Sequence, residues 1–242
     1  MEIYGIRSII EAVESSKEIS KVYFIKSNQQ SNLLRTLISK LEKKSISFSF
    51  VPKEKFKKYE NKNHQGAIAI LSPISLYSIE ELIAKTYNKE KLQTYLLLDG
   101  ITDTRNFGAI IRTSVAAGAT GIIISQNNSA PINSDVIKTS SGAAFKIPIS
   151  KVQNLKDAII HLRSLEINVF SLSEKATKSI YDINYNRSMG LIMGSEEKGV
   201  SKGILKLSDE TLKVPINPDI DSLNVSVAFA VVIFEIARQR IS

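Results

Sequence analysis

From residue 95 onward, short apolar blocks alternate with longer stretches whose apolar positions recur every three or four residues. The blocks at 95–99, 121–125, 147–150, 168–171, 191–193 and 212–214 read as strands. The stretches at 106–117, 132–139, 154–165 and 201–206 read as helices. Strands separated by helices predict a mostly parallel sheet covered on both faces, an α/β fold with its sites at the carboxyl ends of the strands. The first third has a smaller α/β pattern of its own. A helix is predicted over 4–12, a strand over 21–25, and an amphipathic helix over 31–43 with Leu33, Leu34, Leu37, Ile38 and Leu41 on one face. Strands at 47–51 and 66–71 flank a lysine-rich run, KEKFKKYENK, at 53–62. Ser72, Pro73, Ser75 and Ser78 open a segment that reads as a linker with a short helix at 79–87 inside it. The expected organisation is therefore a small domain at 1–72, a linker at 73–94 and a larger domain at 95–242. The last predicted helix, 225–237, is apolar nearly all round, interrupted by Ser226 and Glu235. Such a helix must be buried on more than one side, and a subunit interface is the expected reason.

Composition narrows the classes. With 242 residues and no cysteine, disulfides and thiolate metal sites are excluded. His64 and His161 fit no ligand spacing, so no metal is expected. His161 falls on the polar side of its helix, and His64 either ends a loop or touches a ligand. The N-terminus carries acids where a signal peptide needs bases followed by an apolar run. The longest apolar run, residues 227–234, is too short to span a bilayer. A cytoplasmic location is expected. The net charge of +8 is uneven: residues 1–78 hold 13 Lys and Arg against 7 Asp and Glu, and the rest holds 19 against 17. A basic N-terminal third suits a polyanion such as nucleic acid, although a solvated lysine-rich surface gives the same composition. Arg7, Lys55, Lys57 and Lys58 are the candidate RNA contacts, while Phe56 and Tyr59 read as packing.

Three loops that follow apolar strands carry the candidate chemistry. LIMGSEEKGVS (191–201) has the G-x-x-x-x-G spacing of a phosphate loop between Gly194 and Gly199, but Val200 and Ser201 stand where such a loop needs Lys and Ser or Thr. Glu196 and Glu197 would also repel a triphosphate, which disfavours a nucleotidase. Gly194 would let the chain turn directly off its strand. In DGITDTRNFGAIIRTS (99–114), Gly108 would permit close backbone approach at a helix start that favours an anion. Arg112 would grip a phosphate or carboxylate there. The plainer reading has Asp103 or Thr104 capping the helix. In VPINPDIDSLNVS (214–226), Asp221 or Ser222 is the natural cap of the last helix.

Together, N-F-G-A-I-I-R in the first loop, M-G-S-E-x-x-G in the second and P-I-N…S-L-N-V-S in the third resemble the SpoU (TrmH) family of RNA ribose 2′-O-methyltransferases. SSGAAFKIP (140–148) is similar to a further family segment. IYGIRSIIEAV near the start and HQGAIAIL (64–71) look like the family's L30e-like RNA-binding extension. The resemblance implies a deep trefoil knot of the SPOUT fold, a homodimer and S-adenosylmethionine as cofactor. It implies a ribose, most closely that of a guanosine in large-subunit rRNA, as methyl acceptor. Transfer RNA as substrate and an RNA-binding protein without activity are the alternatives. Carried over by motif, Asn106, Arg112, Glu196, Ser222 and Asn224 form the catalytic set, with Glu196 and the two asparagines orienting Arg112. Gly194, Val214, Ile216 and Leu223 hold the cofactor. Two positions depart from the family pattern: Thr104 replaces a common proline, and Glu197 replaces a common glycine.

Overall fold

The structure, a computed structural model, describes residues 2–14, 18–26 and 31–241. The chain divides into two compact units. The first comprises residues 1–75 and 131–135, and the second residues 76–130 and 136–242.

In the first unit, strands β1 (Glu2–Tyr4), β2 (Ile19–Ile25), β3 (Phe48–Val51) and β4 (Ala67–Leu71) form one sheet in the order β1-β4-β2-β3. β4 runs antiparallel to both β1 and β2, and β3 runs parallel to β2. Helices α1 (Ile6–Glu14) and α2 (Asn32–Lys43) bury Ile9, Leu37 and Leu41 against Val22, Phe24, Ala67 and Ala69 on one sheet face. Ser31 caps α2 by accepting from the Leu34 amide at 3.2 Å. The opposite face carries Tyr4, Tyr23, Ile25, Val51 and Ile68, covered by Phe56 and Tyr59. Those two rings come from the lysine-rich run, which forms a 3-10 helix over Lys53–Tyr59.

The second unit is built on eight strands in the order β10-β12-β9-β11-β6-β7-β8-β5, and every pairing is parallel. In chain order the elements are β5 (Leu76–Tyr77), α3 (Ile79–Thr86), β6 (Thr94–Asp99), α4 (Thr104–Ala116), β7 (Gly121–Ser125), α5 (Ser134–Thr139) and β8 (Ile149–Val152). There follow α6 (Leu155–Ser164), β9 (Asn168–Leu172), β10 (Lys178–Ser179), β11 (Met189–Gly194), α7 (Lys202–Leu205), β12 (Glu210–Lys213) and α8 (Val225–Ile241). One face is closed by Ile79, Leu82 and Ile83 of α3 and Leu155, Ile159 and Leu162 of α6, packed on Tyr95, Leu97, Ile123, Val169 and Ile192. α8 packs against α4 and β11.

Residues 76–86 therefore differ from the linker expected at 73–94. β5 pairs with β8, Ser78 and Glu81 form a reciprocal capping box, and the Thr86 hydroxyl meets Tyr95 Oη at 2.9 Å. The physical reason is the apolar stripe of this helix, which needs a sheet to cover it. Chain order then places the reversal of the sheet at the β6–β11 boundary. β7 and β8 extend to one side of it, β9 and β12 to the other, and the carboxyl ends of strands at such a reversal leave a crevice.

The C-terminal end of α8 is tied down by polar contacts. Arg240 donates to the Thr94 hydroxyl at 2.6 Å and to the carbonyls of Arg187 at 2.6 Å and Tyr185 at 3.1 Å. Glu235 accepts two 2.8 Å bonds from Arg238 and one from Gln239. Bonds from Arg238 first and Gln239 second hold its carboxyl down to about 2. A depressed carboxyl stabilises the fold fully above its unfolded value of about 4.3, and that contribution is lost as pH falls through about 2. Glu235→Gln is expected to flatten the acid limb of urea-denaturation midpoints in that window and to leave neutral-pH cofactor binding intact.

Candidate active site

Three loops meet at the carboxyl edge of the second unit's sheet, and each is pinned by contacts that its own residues dictate. At the end of β6, the Asp99 carboxylate accepts from the Ser201 amide at 2.8 Å, clamping the first loop to the return of the second. Asp103 then caps α4, accepting from the Arg105 amide at 2.8 Å and the Asn106 amide at 2.9 Å. The capping alternative is the one that occurs, and it takes up the amides that an anion would need. Gly108 is buried one turn further on, and a methyl group there would lie 2.6 Å from Thr139 Cβ. Its role is close packing of α4, which corrects the expectation of an anion site beside it.

The second loop folds back over its own strand. Ser195 pairs with Gly199, the Gly199 amide donates to the Ser195 carbonyl at 2.8 Å, and the Lys198 amide donates to Ser195 Oγ at 3.2 Å. Gly199 takes a positive φ of 63°, so the conformational need for glycine in this loop lies there. Gly194 is needed for another reason. A methyl group on it would sit 2.0 Å from the Gly199 carbonyl carbon and 2.1 Å from the Val200 nitrogen. It is a close-approach glycine under a crossing backbone rather than the pivot of a turn.

The loop tips bring three predicted residues together. Asn106 Nδ2 donates to Glu196 Oε1. Asn224 Nδ2 reaches the same oxygen at 3.1 Å and Asn106 Oδ1 at 3.2 Å. Asn224 is also the residue that caps α8, because its Oδ1 accepts from the Ser226 amide at 2.9 Å and the Ser226 hydroxyl at 2.6 Å. Asp221 and Ser222, the expected caps, leave that task to it. The two bonds from Ser226 identify the amide oxygen and so aim Nδ2 at Glu196. Ser226 is a positioning residue that sequence reading passed over, and so is Asp99. An Asn-x-Ser spacing at a helix start was the available signal for the first. No local signal exists for the second, whose partner lies 102 residues away.

Two cavities flank this cluster. The larger, about 510 Å³, is walled by the loops after β9, β11 and β12. Gly194, Val214, Ile216, Ser222, Leu223 and Asn224 all line it, so all four predicted cofactor residues face one space. The smaller, about 300 Å³, is lined by Gly100, Thr102, Asp103, Asn106, Asn128 and Lys198 among others. Glu196 and Glu197 border both. Arg112 stands apart. It is exposed on α4, lines neither cavity, and its side chain makes no hydrogen bond or ion pair with the described residues. Six residues separate it from Asn106, which is about 9 Å along the helix and about a third of a turn off the Asn106 face. Within this chain, Glu196 and the two asparagines therefore orient one another.

On the first unit, Lys55 and Lys58 border a separate cavity of about 210 Å³, and Lys57 and Arg7 are exposed outside it. Phe56 and Tyr59 are buried, as expected for packing residues. His64 ends a loop, its Nδ1 accepting from the Gly66 amide at 2.9 Å. Among the described residues no group of three or more His, Cys, Asp or Glu could hold a metal, and no helix is long and apolar enough to cross a membrane.

Comparison with known proteins agrees with this geometry. The model of the SpoU rRNA methylase family matches residues 93–234, and that of an RNA 2′-O ribose methyltransferase substrate-binding domain matches residues 3–77. The 23S rRNA (guanosine-2′-O-)-methyltransferase RlmB of Vibrio vulnificus is 30% identical, with 99% of this chain and 97% of that protein covered. An uncharacterized tRNA/rRNA methyltransferase of Mycoplasma pneumoniae is 33% identical over 96% of this chain and 95% of its own. Among solved structures, the SpoU methyltransferase AviRb of Streptomyces viridochromogenes, in complex with AdoMet, shares the fold. It aligns at a TM-score of 0.63 and 20% identity over 100% of this chain and 90% of that one. The family model spans more than half of the chain and the relatives align end to end, so this protein belongs to the SpoU rRNA methylase family.

Proposed function

We infer that this protein transfers the methyl group of S-adenosylmethionine to a ribose 2′-hydroxyl of a guanosine in 23S rRNA. The family membership and the end-to-end likeness to proteins named for that reaction support the reading. The structural observation that carries it is the shared wall: two cavities meet at Asn106, Glu196 and Asn224, one on each side for a donor and an acceptor.

The larger cavity suits the cofactor chemically. Val214, Ile216, Leu223 and Val225 supply apolar lining for a purine and ribose, Glu174 and Glu196 suit cationic groups, and Lys175 and Lys202 suit a carboxylate. When bound there, the sulfonium supplies an activated methyl group. Gly194, by accepting the crossing backbone of 199–200, keeps the wall of this cavity thin. The protein's own part is to place the 2′-oxygen and manage its proton. Glu196 Oε1 is held by two amide donors, which leaves Glu196 Oε2 as an acceptor on a side chain that borders both cavities. A ribose hydroxyl donating to that oxygen is oriented and made more nucleophilic in the same step. Ser222, on the cofactor side, offers a further hydroxyl to the same surface.

Arg112 fits a phosphate-gripping role better than proton transfer, because a guanidinium stays protonated in proteins. Its exposure leaves all its donors available to the RNA backbone. Arg112→Lys is expected to lower kcat/KM about 10- to 100-fold, mostly through KM, with cofactor affinity unchanged by calorimetry. Undiminished methyl transfer would remove Arg112 from the site.

The same reading includes a homodimer and a knot. Val227, Phe234 and Ile241 recur every seven residues along one face of α8 and are 49%, 51% and 87% exposed, an apolar stripe that a second copy would cover. The knot is supported by two loops, 195–201 and 214–224, that both wall one cavity while one of them crosses back over Gly194. The first unit, with Arg7, Lys55, Lys57 and Lys58, presents the basic surface for RNA, and action on ribosomal RNA implies a cytoplasmic site. The decisive experiment is mass-spectrometric mapping of ribose methylation in rRNA and tRNA from cells with and without the gene. Loss of one 2′-O-methylguanosine in 23S rRNA is expected. An unchanged rRNA map with a lost tRNA methyl group would reassign the substrate.

A further inference from the structure

The lysine-rich run on the first unit has an order that its composition hides. A 3-10 helix has three residues per turn, so residues three apart lie one above the other. Over Lys53–Tyr59 this puts Phe56 and Tyr59 in one row and Lys55 and Lys58 in another. The aromatic row is buried on the sheet face beneath it. The lysine row edges a cavity of about 210 Å³ that is also lined by Tyr23 and Ile68 of the sheet and by Pro131 and Asn133. Lys57 belongs to the third row and does not line it.

The groups around this cavity are chemically matched to one kind of ligand. Tyr23 is half-buried, and its hydroxyl makes no hydrogen bond with the described residues. Lys21 Nζ lies 5.7 Å from the Tyr23 ring centroid. Lys58 Nζ lies 4.5 Å from the Tyr59 ring centroid. The Glu2 carboxylate accepts from Tyr59 at 2.7 Å and Tyr4 at 2.8 Å and stands 3.5 Å from Lys58. Its oxygens are thus engaged by the wall itself, and the Lys55 ammonium makes no hydrogen bond or ion pair with the described residues. An aromatic face with a free hydroxyl, rimmed by ammonium groups, is how proteins hold an unpaired base together with its phosphate.

We propose that this cavity takes one unpaired base of the RNA substrate, stacked on Tyr23, with the adjoining phosphate on Lys55 and Lys58. The inference rests on the RNA-methyltransferase reading and adds to it a defined contact distant in sequence from the catalytic loops. It also makes RNA selection depend on a single-stranded nucleotide that is not itself methylated.

The test uses the full chain and a labelled single-stranded RNA, followed by fluorescence anisotropy at several salt concentrations. Tyr23→Leu keeps an apolar side chain but removes the stacking face, and it is expected to weaken binding roughly 5- to 100-fold without changing the salt slope. Lys55→Ala with Lys58→Ala is expected to flatten the slope of log K against log salt by about 1.4, the value for two single-strand phosphates. Lys43→Ala, on α2 over the opposite sheet face, removes the same charge as either lysine change and is expected to do neither. Ultraviolet crosslinking of the unaltered protein is expected to attach RNA to the peptide containing Tyr23, which keeps the test open if a variant fails to fold. A free guanosine monophosphate that competes as well as the RNA would overturn the strand as ligand. Wild-type binding by a folded Tyr23→Leu variant, or a crosslink that avoids that peptide, would overturn the cavity. Methyl transfer to 23S rRNA by the unaltered protein is measured in parallel. If it occurs while Tyr23→Leu binds normally, only this inference falls. If no RNA is methylated, the functional reading falls instead.

Discussion

Gly194→Ala is expected to abolish measurable cofactor binding. The added methyl carbon would lie 2.0 Å from the Gly199 carbonyl carbon, 2.1 Å from the Val200 nitrogen and 2.3 Å from the Gly199 oxygen. All three are backbone atoms, so no side chain can rotate away. The crossing segment is held in place by the Ser195–Gly199 pairing and by the Ser201 amide on Asp99. Either the end of β11 or the return of the loop must move to relieve the overlap. Both border the larger cavity. Overpacking of this kind costs about 1–3 kcal/mol, and here the displaced wall is the one that the cofactor needs. Calorimetric titration with S-adenosylmethionine is expected to show at least about a 100-fold loss, which is about 2.7 kcal/mol. Gly203→Ala is the fitting control. A methyl group there meets only Lys156 Cε and Nζ at 3.1 Å, the far end of a flexible side chain, and alanine favours the helix. Normal affinity in folded Gly194→Ala would mean that this loop is not the cofactor wall.

Asn224→Asp is expected to separate stability from catalysis. An aspartate can still cap α8, because one oxygen can accept the two Ser226 bonds that Asn224 Oδ1 accepts now. Its other oxygen would replace an amide donor 3.1 Å from Glu196 Oε1 and 3.2 Å from Asn106 Oδ1. Both side chains are exposed, so water screens the repulsion of the two carboxylates to about 1 kcal/mol. Turnover at neutral pH is expected to drop about 10²- to 10³-fold, the usual effect of removing one oriented donor from an active site. The thermal midpoint should move little. The sign of the pH dependence follows from the pair. A like charge raises a carboxyl pKa, so one of the two takes up a proton as pH falls, and that shared proton restores a donor between them. The ratio of variant to unaltered activity is therefore expected to rise as the pH is lowered from neutrality into the mildly acidic range. Asn224→Ala has no such proton to gain. It should also lose about 1 kcal/mol with the cap, and its activity ratio should stay flat. Full activity of the Asn224→Asp variant at neutral pH would remove the amide donor from the mechanism.

The strand blocks and helical stretches of the larger unit were legible because their period is written locally. β6, β7, β9 and β11 lie within two or three residues of their expected positions. β1, β5 and β10 were not legible. They have three, two and two residues, and each exists only as a partner to a strand elsewhere, β1 on β4, β5 on β8 and β10 on β12. The same holds for the site. The three loops carrying Asn106, Glu196 and Asn224 could be picked out by motif. The bonds that make them one cluster join residues 28 to 118 apart, and nothing local encodes which donor faces which acceptor.

By itself, then, the amino-acid order of this protein determined the alternation of its elements, the loops that hold its chemistry and the basic bias of its first third. Periodicity, capping residues and charge are properties of neighbours along the chain. Only the tertiary structure decided why Gly194 and Gly108 must lack a side chain, that Asn224 rather than Ser222 caps the last helix, and that residues 76–86 belong to the larger sheet. It also decided that Arg112 stands outside the cluster and that Lys55 and Lys58, but not Lys57, line one cavity. Each of these depends on what a residue meets across space, and burial and hydrogen bonding are settled only when distant segments pack.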